Sequence, residues 1–418
     1  MTDARILHDA PWLTSGAAAR VLALLNGGGE EARVIGGAVR NALMQLPIGD
    51  IDIATTALPD EVIRRARTAH IKSVPTGIAH GTVTLVVDGQ PFEITTLRQD
   101  VETFGRKAAV VFGRDWVSDA ERRDFTINGL SVSSDGVVHD HVGGLEDIEA
   151  RRVRFIGDPD RRISEDYLRI LRFFRIDASY GAGPPDREGY LACIRGRAGI
   201  AGLSSERVRM ELLKLLVADG ATAAVQAMAD GGLLLQIFGG VAYLGAFAAM
   251  VAAEDEMAWK PDPVLRLGAL GVAVTEDAKR LATRLRLTNG EAKALDSMGH
   301  RWWRLKGMDE SIARRRLYRL GVERYRNRIM MAWARDGQGA DPAPWRALVT
   351  LPERWTAPKF PLKAADFMAR GIARGPALGH VIALAEDAWL ARDFPLDAEA
   401  LTAITDATVA RFGGDQRL

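Results

Sequence analysis

Residues 34–56, VIGGAVRNALMQLPIGDIDIATT, set a Gly-Gly turn, an arginine and two carboxylates inside one short unit. Val34-Ile35 predicts a short buried strand that ends at Gly36-Gly37, and residues 39–46 predict a helix. Asp50 to Ile53 alternates carboxylate with isoleucine, the period of a half-buried strand. On such a strand residues i and i+2 share a face, so Asp50 and Asp52 stand about 7 Å apart at Cα while Ile51 and Ile53 turn to the core. Two carboxylates so placed repel unless a cation joins them, and together they can hold divalent cations. Gly36-Gly37 ahead of a helix lets backbone amides approach an anion, and Arg40 in the first turn can grip a phosphate. The unit therefore predicts a phosphate-handling site with metal ions. Alone, Asp-x-Asp is as readily a solvated strand edge, and Gly-Gly-x-x-Arg alone is weak evidence.

Working outward, residues 59–69 predict a helix with Pro59 near its start. Residues 81–87 and 92–97 are β-rich runs flanking Asp88-Gly89, a hairpin signal. Glu93, on the second of these strands, is the natural third carboxylate if that strand lies beside Asp50 and Asp52. Residues 98–119 have no clear period and contain Gly105 and Gly113, which predicts a loop. A further strand is expected over 125–132. It follows a dense cluster, Arg122-Arg123-Asp124-Phe-Thr-Ile-Asn128, whose arginines, aspartate and amide can hold a triphosphate and a ribose hydroxyl. His139, Asp140 and His141 adjoin two glycines and read as a structural turn rather than a metal site.

After Arg151 the pattern is helical to the end. Residues 164–177 predict one helix on which Asp166, Arg169, Arg172 and Arg175 step by three, each about 60° round from the last. Asp166 and Arg169 then lie side by side, an acceptor next to donors, which matches the edge of a nucleobase. A plain i, i+3 ion pair is the bland reading of the same pair. Residues 203–217 predict another helix, N-capped by Ser204 or Ser205. Residues 181–186 and 336–345 are the clearest breaks.

The chain has 418 residues, 47% of them hydrophobic, ample for more than one domain. Its formal net charge of +1 does not announce a nucleic-acid binder. Cys193 is the only cysteine, which excludes a disulfide framework and a cysteine zinc cluster. The N-terminus lacks a basic region followed by an apolar run, so no secretion signal is expected and the working compartment is the cytoplasm. Residues 231–253 are long enough to span a bilayer, but Gln236 and Gly239-Gly240 interrupt them; two buried helices joined at the glycines are expected, and no membrane contact. Residues 301–328 hold ten basic residues, nine Arg and Lys306, against Asp309, Glu310 and Glu323, with Trp302, Trp303, Tyr318 and Tyr325 interleaved. Arg314, Arg315, Arg316 and Arg319 are weak candidates for RNA binding there; a helical face with its aromatics buried is nearly as good a reading.

These clusters, in this order, resemble the class II tRNA nucleotidyltransferase and bacterial poly(A) polymerase family. The resemblance runs from about Arg33 to Leu216 and rests on VIGGAVRN, GDIDIAT, PTGIAHGTVT, FEITTLR, ERRDFTINGL, DHVGGLEDI, ISEDYLRILRFFRI and LSSERVRMELLKLL. It implies an α+β fold, a polymerase-β-like nucleotidyltransferase head with a small mixed sheet followed by all-α neck, body and tail. The corresponding boundaries are 1–152 for the head, 153–220 for a neck that selects the base, 221–300 for the body and 301–418 for a tRNA-binding tail. Carried over residue by residue, it makes Asp50 and Asp52 the Mg2+ ligands; Glu93, read from its strand geometry and residue type, is expected to join them as a catalytic carboxylate. Gly36, Gly37 and Arg40 would contact the nucleotide phosphates, and Arg123, Asp124 and Asn128 the triphosphate and ribose. Asp166 and Arg169 would select the base, Arg172 and Arg175 would support them, and Glu206 and Arg207 would hold the neck together. The implied reaction is template-independent addition of CCA to a tRNA 3′ end from CTP and ATP. PTGIAHGTVT looks like the CCA-adding group, and 98–119 has the length seen where the final A is added. A poly(A) polymerase and a non-catalytic RNA-binding protein on the same scaffold are the alternatives. Two positions depart from the family pattern: Asn41 stands where it has aspartate and Gly129 where it has alanine.

Overall fold

The computed structural model describes residues 7, 10–104, 107–305, 307–336 and 341–415, without the side chains of residues 79, 99–104, 107–110 and 413–415. The chain forms two compact units, Met1–Gly239 and Gly240–Leu418.

The first unit is built on a seven-stranded sheet of order β3-β4-β5-β2-β1-β8-β9. The strands are β1 (Ala32–Ile35), β2 (Asp52–Thr55), β3 (Lys72–Gly77), β4 (Thr82–Val87), β5 (Gln90–Thr96), β8 (Ser131–Val132) and β9 (Val138–His139); β6 (Arg98–Phe104) and β7 (Lys107–Phe112) pair separately. The sheet is mixed: β2 runs antiparallel to β1 and parallel to β5. Asp88 and Gly89 both take positive φ, 53° and 78°, the twist that a tight β4–β5 turn demands. Pro59 opens the Pro59–Thr68 helix as expected, since its missing N–H costs nothing there.

Four expectations are corrected. β2 begins at Asp52, so Asp50 lies in the approach to the strand, and Ile53, Ala54 and Thr55 are all buried rather than alternating. The strand is paired along both edges, with β1 and β5, and the burial of three successive residues means that both its faces are covered as well. Residues 98–119 are not a loop: β6 and β7 form an antiparallel ladder, followed by the Trp116–Glu121 helix. Such a two-stranded ladder forms from local backbone pairing and need not impress a hydrophobic period on the sequence. Over 125–132 only Ser131–Val132 is strand, and Thr126–Asn128 is a 3-10 turn. Thr126 Oγ1 donates to the buried Asp147 carboxylate, which holds the chain in that turn. Finally, the helix expected over 164–177 is two helices, Pro159–Glu165 and Leu168–Tyr180. The chain is extended at Asp166, with φ −156° and ψ 105°. Asp166 Oδ1 accepts from Leu168 N at 3.1 Å, a local bond that caps the second helix instead of continuing the first.

The core of this unit joins sheet to helices through rings: Phe125 and Phe155 lie 4.9 Å apart, and Phe155 stacks on Phe173 of the Leu168–Tyr180 helix at 5.4 Å. The second unit is helical in its described residues. Its C-terminal part packs around Trp389, Phe367, Val381 and Phe394. The apolar run 231–253 is split as expected, into Leu233–Phe238 and Leu244–Glu256, with Gly239 left-handed at φ 60°. No described helix is long and apolar enough to cross a membrane.

Candidate active site

Sheet register brings the opening motif together. Ile35 pairs with Asp52, and Asp52 pairs with Glu93, so the Gly-Gly turn, Asp52 and Glu93 stand side by side across three strands. Gly36 has φ 69° and ψ −126°, a conformation a side chain disfavours, and the chain turns there into the Gly37–Leu43 helix. A Cβ at Gly36 would sit at ordinary contact, 3.5 Å, from Arg123 Nη1, so it is the positive φ and not space that calls for glycine beside that guanidinium.

Arg40 is buried. Its Nε and Nη2 donate to Asn41 Oδ1 at 3.1 and 2.8 Å, and Nη2 also donates to Tyr180 Oη at 2.7 Å. Its Nη1 donates to Asn128 Oδ1. Asn128 Nδ2 donates to Asp124 Oδ1 at 3.1 Å, and Asp124 Oδ2 accepts from Arg172 Nε at 2.7 Å. Burial alone would raise the Asp124 carboxyl, but Arg172 and the hydrogen bonds from Asn128, Arg172 and Phe125 N outweigh it and hold it below the ordinary value. Asp119, buried beneath, likewise stays below its ordinary value because Arg123 and Arg122 override desolvation.

On the facing helices Asp166 and Arg169 are not paired with each other through their side chains. Asp166 Oδ2 accepts from Arg207 Nη2 at 2.6 Å, and Arg169 Nη1 donates to Glu165 Oε2 at 2.5 Å and to the Arg162 carbonyl at 2.7 Å. The break at Asp166 is the reason: the two residues do not share a continuous helical face. Arg175 Nε donates to the buried Glu211 at 2.5 Å.

An open cavity of about 630 Å³ collects most of the residues singled out from the sequence. Gly36, Gly37, Arg40, Asp50, Asp52, Arg123, Asp124, Asn128, Asp166, Arg169, Arg172 and Arg175 are on its wall, with Asn41, Gly49 and Ile176. The volume suits a nucleotide. Glu93 stands next to Asp52 on β5 but is exposed and outside the cavity lining.

The donor set fits a divalent cation at Asp50 and Asp52. Neither carboxylate has a hydrogen bond or an ion pair among the described residues, whereas Asp124 and Asp166 are each held by an arginine. Asp52 is open to the cavity mouth, yet the walls around its carboxyl desolvate it; with Glu93 and Asp50 adding repulsion, it is raised above its ordinary value despite Arg123. Paired oxygen donors under mutual repulsion are the chemistry a hard divalent cation relieves. Among the described residues no three His, Cys, Asp or Glu gather closely enough to hold a metal, so the set is two carboxylates rather than three.

In the basic segment 301–328 the aromatics are mostly not free to stack on bases. Tyr325 is buried, Tyr318 packs on Trp389, and Trp302 Nε1 donates to the Ala273 carbonyl; Trp303 is half exposed. Arg314 pairs with Glu310 and Asp393, Arg319 with Asp387, and Arg315 Nε donates to the Ser311 carbonyl. Arg316 lies near enough to Arg328 to disfavour its charge, burial being the larger cause. Asp140 makes the expected turn: its carboxylate accepts from the amides of Val142, Gly143, Gly144 and Leu145. Sequence reading missed Tyr180, Glu165 and Glu211. Glu211 falls four residues after Arg207 on the Ser205–Leu216 helix, a spacing that would have put it on the same face.

A mixed sheet with paired carboxylates at one strand start, a glycine turn beside them and an arginine-lined cavity above defines a nucleotidyltransferase. Residues 32–154 match the poly A polymerase head domain family, and residues 192–244 match "Probable RNA and SrmB- binding site of polymerase A". The mitochondrial CCA tRNA nucleotidyltransferase 1 of Danio rerio is 33% identical over 385 residues, which cover 89% of this chain and 86% of that protein. A CCA-adding enzyme of Geobacillus sp. is 41% identical over 211 residues, 50% of this chain and 51% of its own. The crystal structure of the Bacillus stearothermophilus CCA-adding enzyme in complex with CTP superposes with a TM-score of 0.75 at 26% identity, covering 97% of this chain and 99% of that one. The chain belongs to the CCA tRNA nucleotidyltransferase family, whose polymerase-β-like head it shares. Nucleotidyltransferases of this kind generally use divalent metal ions.

Proposed function

We infer that this protein adds C, C and A to the 3′ end of tRNA from CTP and ATP, without a template, releasing pyrophosphate at each step. The observation that carries the reading is a cavity whose lining includes both the unpaired carboxylates Asp50 and Asp52 and an acceptor and donors, Asp166 and Arg169. The tRNA 3′ hydroxyl attacks the α-phosphorus in line, and the bond to pyrophosphate breaks.

Asp50 and Asp52 would hold Mg2+, with Glu93 beside them on the next strand. Bound there, the cation lowers the pKa of the attacking hydroxyl and offsets phosphate charge. The Gly36–Gly37 turn lets the triphosphate approach the backbone, and Arg123 supplies positive charge over that turn. Arg40 has one Nη1 N–H left to offer. Asp124 and Asn128 face the ribose and phosphates. Asp166 accepts from an exocyclic amine while Arg169 donates to the adjacent ring nitrogen. Cytosine and adenine share that amine-next-to-acceptor edge; uracil and guanine present the reverse. Arg172 and Arg175 support the reader.

We assign residues 1–152 to the catalytic head, 153–220 to the neck, 221–300 to the body and 301–418 to a tail that meets tRNA through Arg314, Arg315, Arg316 and Arg319. The cytoplasm is the proposed compartment. The test is incubation of the protein with Mg2+, CTP, ATP and tRNA lacking its last three nucleotides, followed by product sizing. Extension by three nucleotides is expected. A long adenylate tail on any RNA would make it a poly(A) polymerase, and no incorporation would leave an RNA-binding scaffold.

A further inference from the structure

The Leu168–Tyr180 helix makes two side-chain ties to segments that flank the sheet, the link before the Thr126–Asn128 turn and the Gly37–Leu43 helix. Arg172 donates to Asp124 Oδ2 at 2.7 Å, and eight residues on, at the last residue of the helix, Tyr180 holds Arg40. The Arg40 guanidinium carbon lies 3.6 Å from the Tyr180 ring centroid, and its Nη2 donates to the Tyr180 hydroxyl at 2.7 Å. Eight residues span about 12 Å of helix axis. The middle of the helix is also held by the stacking of Phe173 on Phe155 and by the Arg175–Glu211 pair, so the bond at Tyr180 acts on where its C-terminal end stands.

Arg40 is itself immobilised. Of its five N–H groups four are taken, two by Asn41 Oδ1 and one each by Tyr180 and Asn128. Asn41 Nδ2 in turn donates to the Pro47 carbonyl at 2.8 Å, in the segment that leads to Asp50. A carboxylate at position 41 can accept from Arg40 but cannot make that donation. A chain of bonds thus runs from the approach to Asp50, through Asn41 and Arg40, to the end of the helix that carries Arg169.

We propose that Tyr180 is a positioning residue for base choice: by clamping Arg40 it sets the tilt of the Leu168–Tyr180 helix, and so where Arg169 stands relative to Asp50 and Asp52. Cytosine and adenine differ in size, so the distance between the reader and the carboxylates decides which nucleotide puts its α-phosphorus in line. The proposal rests on the nucleotidyl-transfer reading above.

The test uses the full chain as wild type, Tyr180→Phe and Tyr180→Leu, with tRNA ending in CC and with CTP or ATP supplied singly. Tyr180→Phe keeps the ring on Arg40 and loses one hydrogen bond to a charged group, so the ratio of kcat/KM for ATP to that for CTP is expected to fall about five-fold. Tyr180→Leu also loses the ring contact, and the fall is expected to reach about thirty-fold. A role confined to stability would lower both nucleotides together and leave the ratio unchanged. An unchanged ratio in folded Tyr180→Leu overturns the proposal, and so does an unchanged ratio in Tyr180→Phe if the leucine variant does not fold. Calorimetric affinities for CTP and ATP give the same comparison without turnover. A wild type that transfers nothing defeats the function, while altered relative affinities in the variants would still support the clamp.

Discussion

A Cβ built at Gly129 would lie 2.6 Å from Val142 Cγ2 and 3.3 Å from Ile156 Cδ1. Alanine, usual in the family at this place, therefore does not fit beside Val142, and Gly129 is the matching choice in this chain. Gly129→Ala is expected to destabilise by about 1–2 kcal/mol through overpacking, and Val142→Ala in the same chain to restore most of it. Thermal unfolding of the two variants checks this; an unaffected Gly129→Ala would mean that the Asn128 turn gives way freely. Asn41, the other departure, keeps the oxygen that Arg40 needs and adds a donor for Pro47. Asp52 is raised by desolvation and by Glu93 and Asp50, so its charged form costs folding energy above its folded pKa and nothing below the ordinary carboxylate range. Asp52→Asn should therefore stabilise the metal-free protein at neutral pH by less than about 1 kcal/mol, given the group's exposure. It should also abolish incorporation and the rise in melting temperature on adding Mg2+. A full melting shift with Mg2+ in the variant would place the cation elsewhere.

At the scale of elements, the Leu168–Tyr180 helix carries a further strained acid. Asp177 sits in its last turn, the end a helix dipole makes unfavourable for anions, and burial with Asp186 nearby pushes its carboxyl up to about 6. A folded value above the unfolded one means that the penalty is absent below about pH 4, grows between 4 and 6, and is complete above. Asp177→Asn is expected to raise stability at pH 8 by about 1 kcal/mol, with the gain vanishing near pH 4, as melting curves at the two pH values would report. Most elements were legible because their signals are local. Pro59, Asp88-Gly89 and the run Thr82–Val87 each declare themselves within a few residues. The misread elements were decided by bonds and burial that no hydrophobic period records, some of them local, as in the β6–β7 ladder, and some to distant partners. Thr126 bonds to Asp147, Asp166 bonds to Arg207, and β2 is buried on both faces, which its own alternation does not encode.

At the scale of the molecule, the second unit contains a fully buried ion pair, Glu254 with Arg266 Nε at 2.5 Å. Burial raises the Glu254 carboxyl despite Arg266 and the Asp262 amide, so the pair is retained at a cost. Removing one partner leaves a buried charge, and Arg266→Ala is expected to cost about 3–5 kcal/mol. Because Arg266 lies in the second unit and the nucleotide cavity wholly in the first, calorimetric binding of CTP to the folded variant should be little changed. A lost CTP affinity would show that the units are energetically coupled. What the residues alone determined is the inventory: the glycine turn, the carboxylates, the arginines and their order along the chain, since these follow from residue type and short-range spacing. Tertiary structure decided the pairings. It set Glu93 beside Asp52 yet outside the cavity, turned Asp166 to Arg207, and brought Tyr180 onto Arg40, 140 residues away in sequence. Contacts between residues so far apart depend on sheet register and helix packing, which no local pattern records.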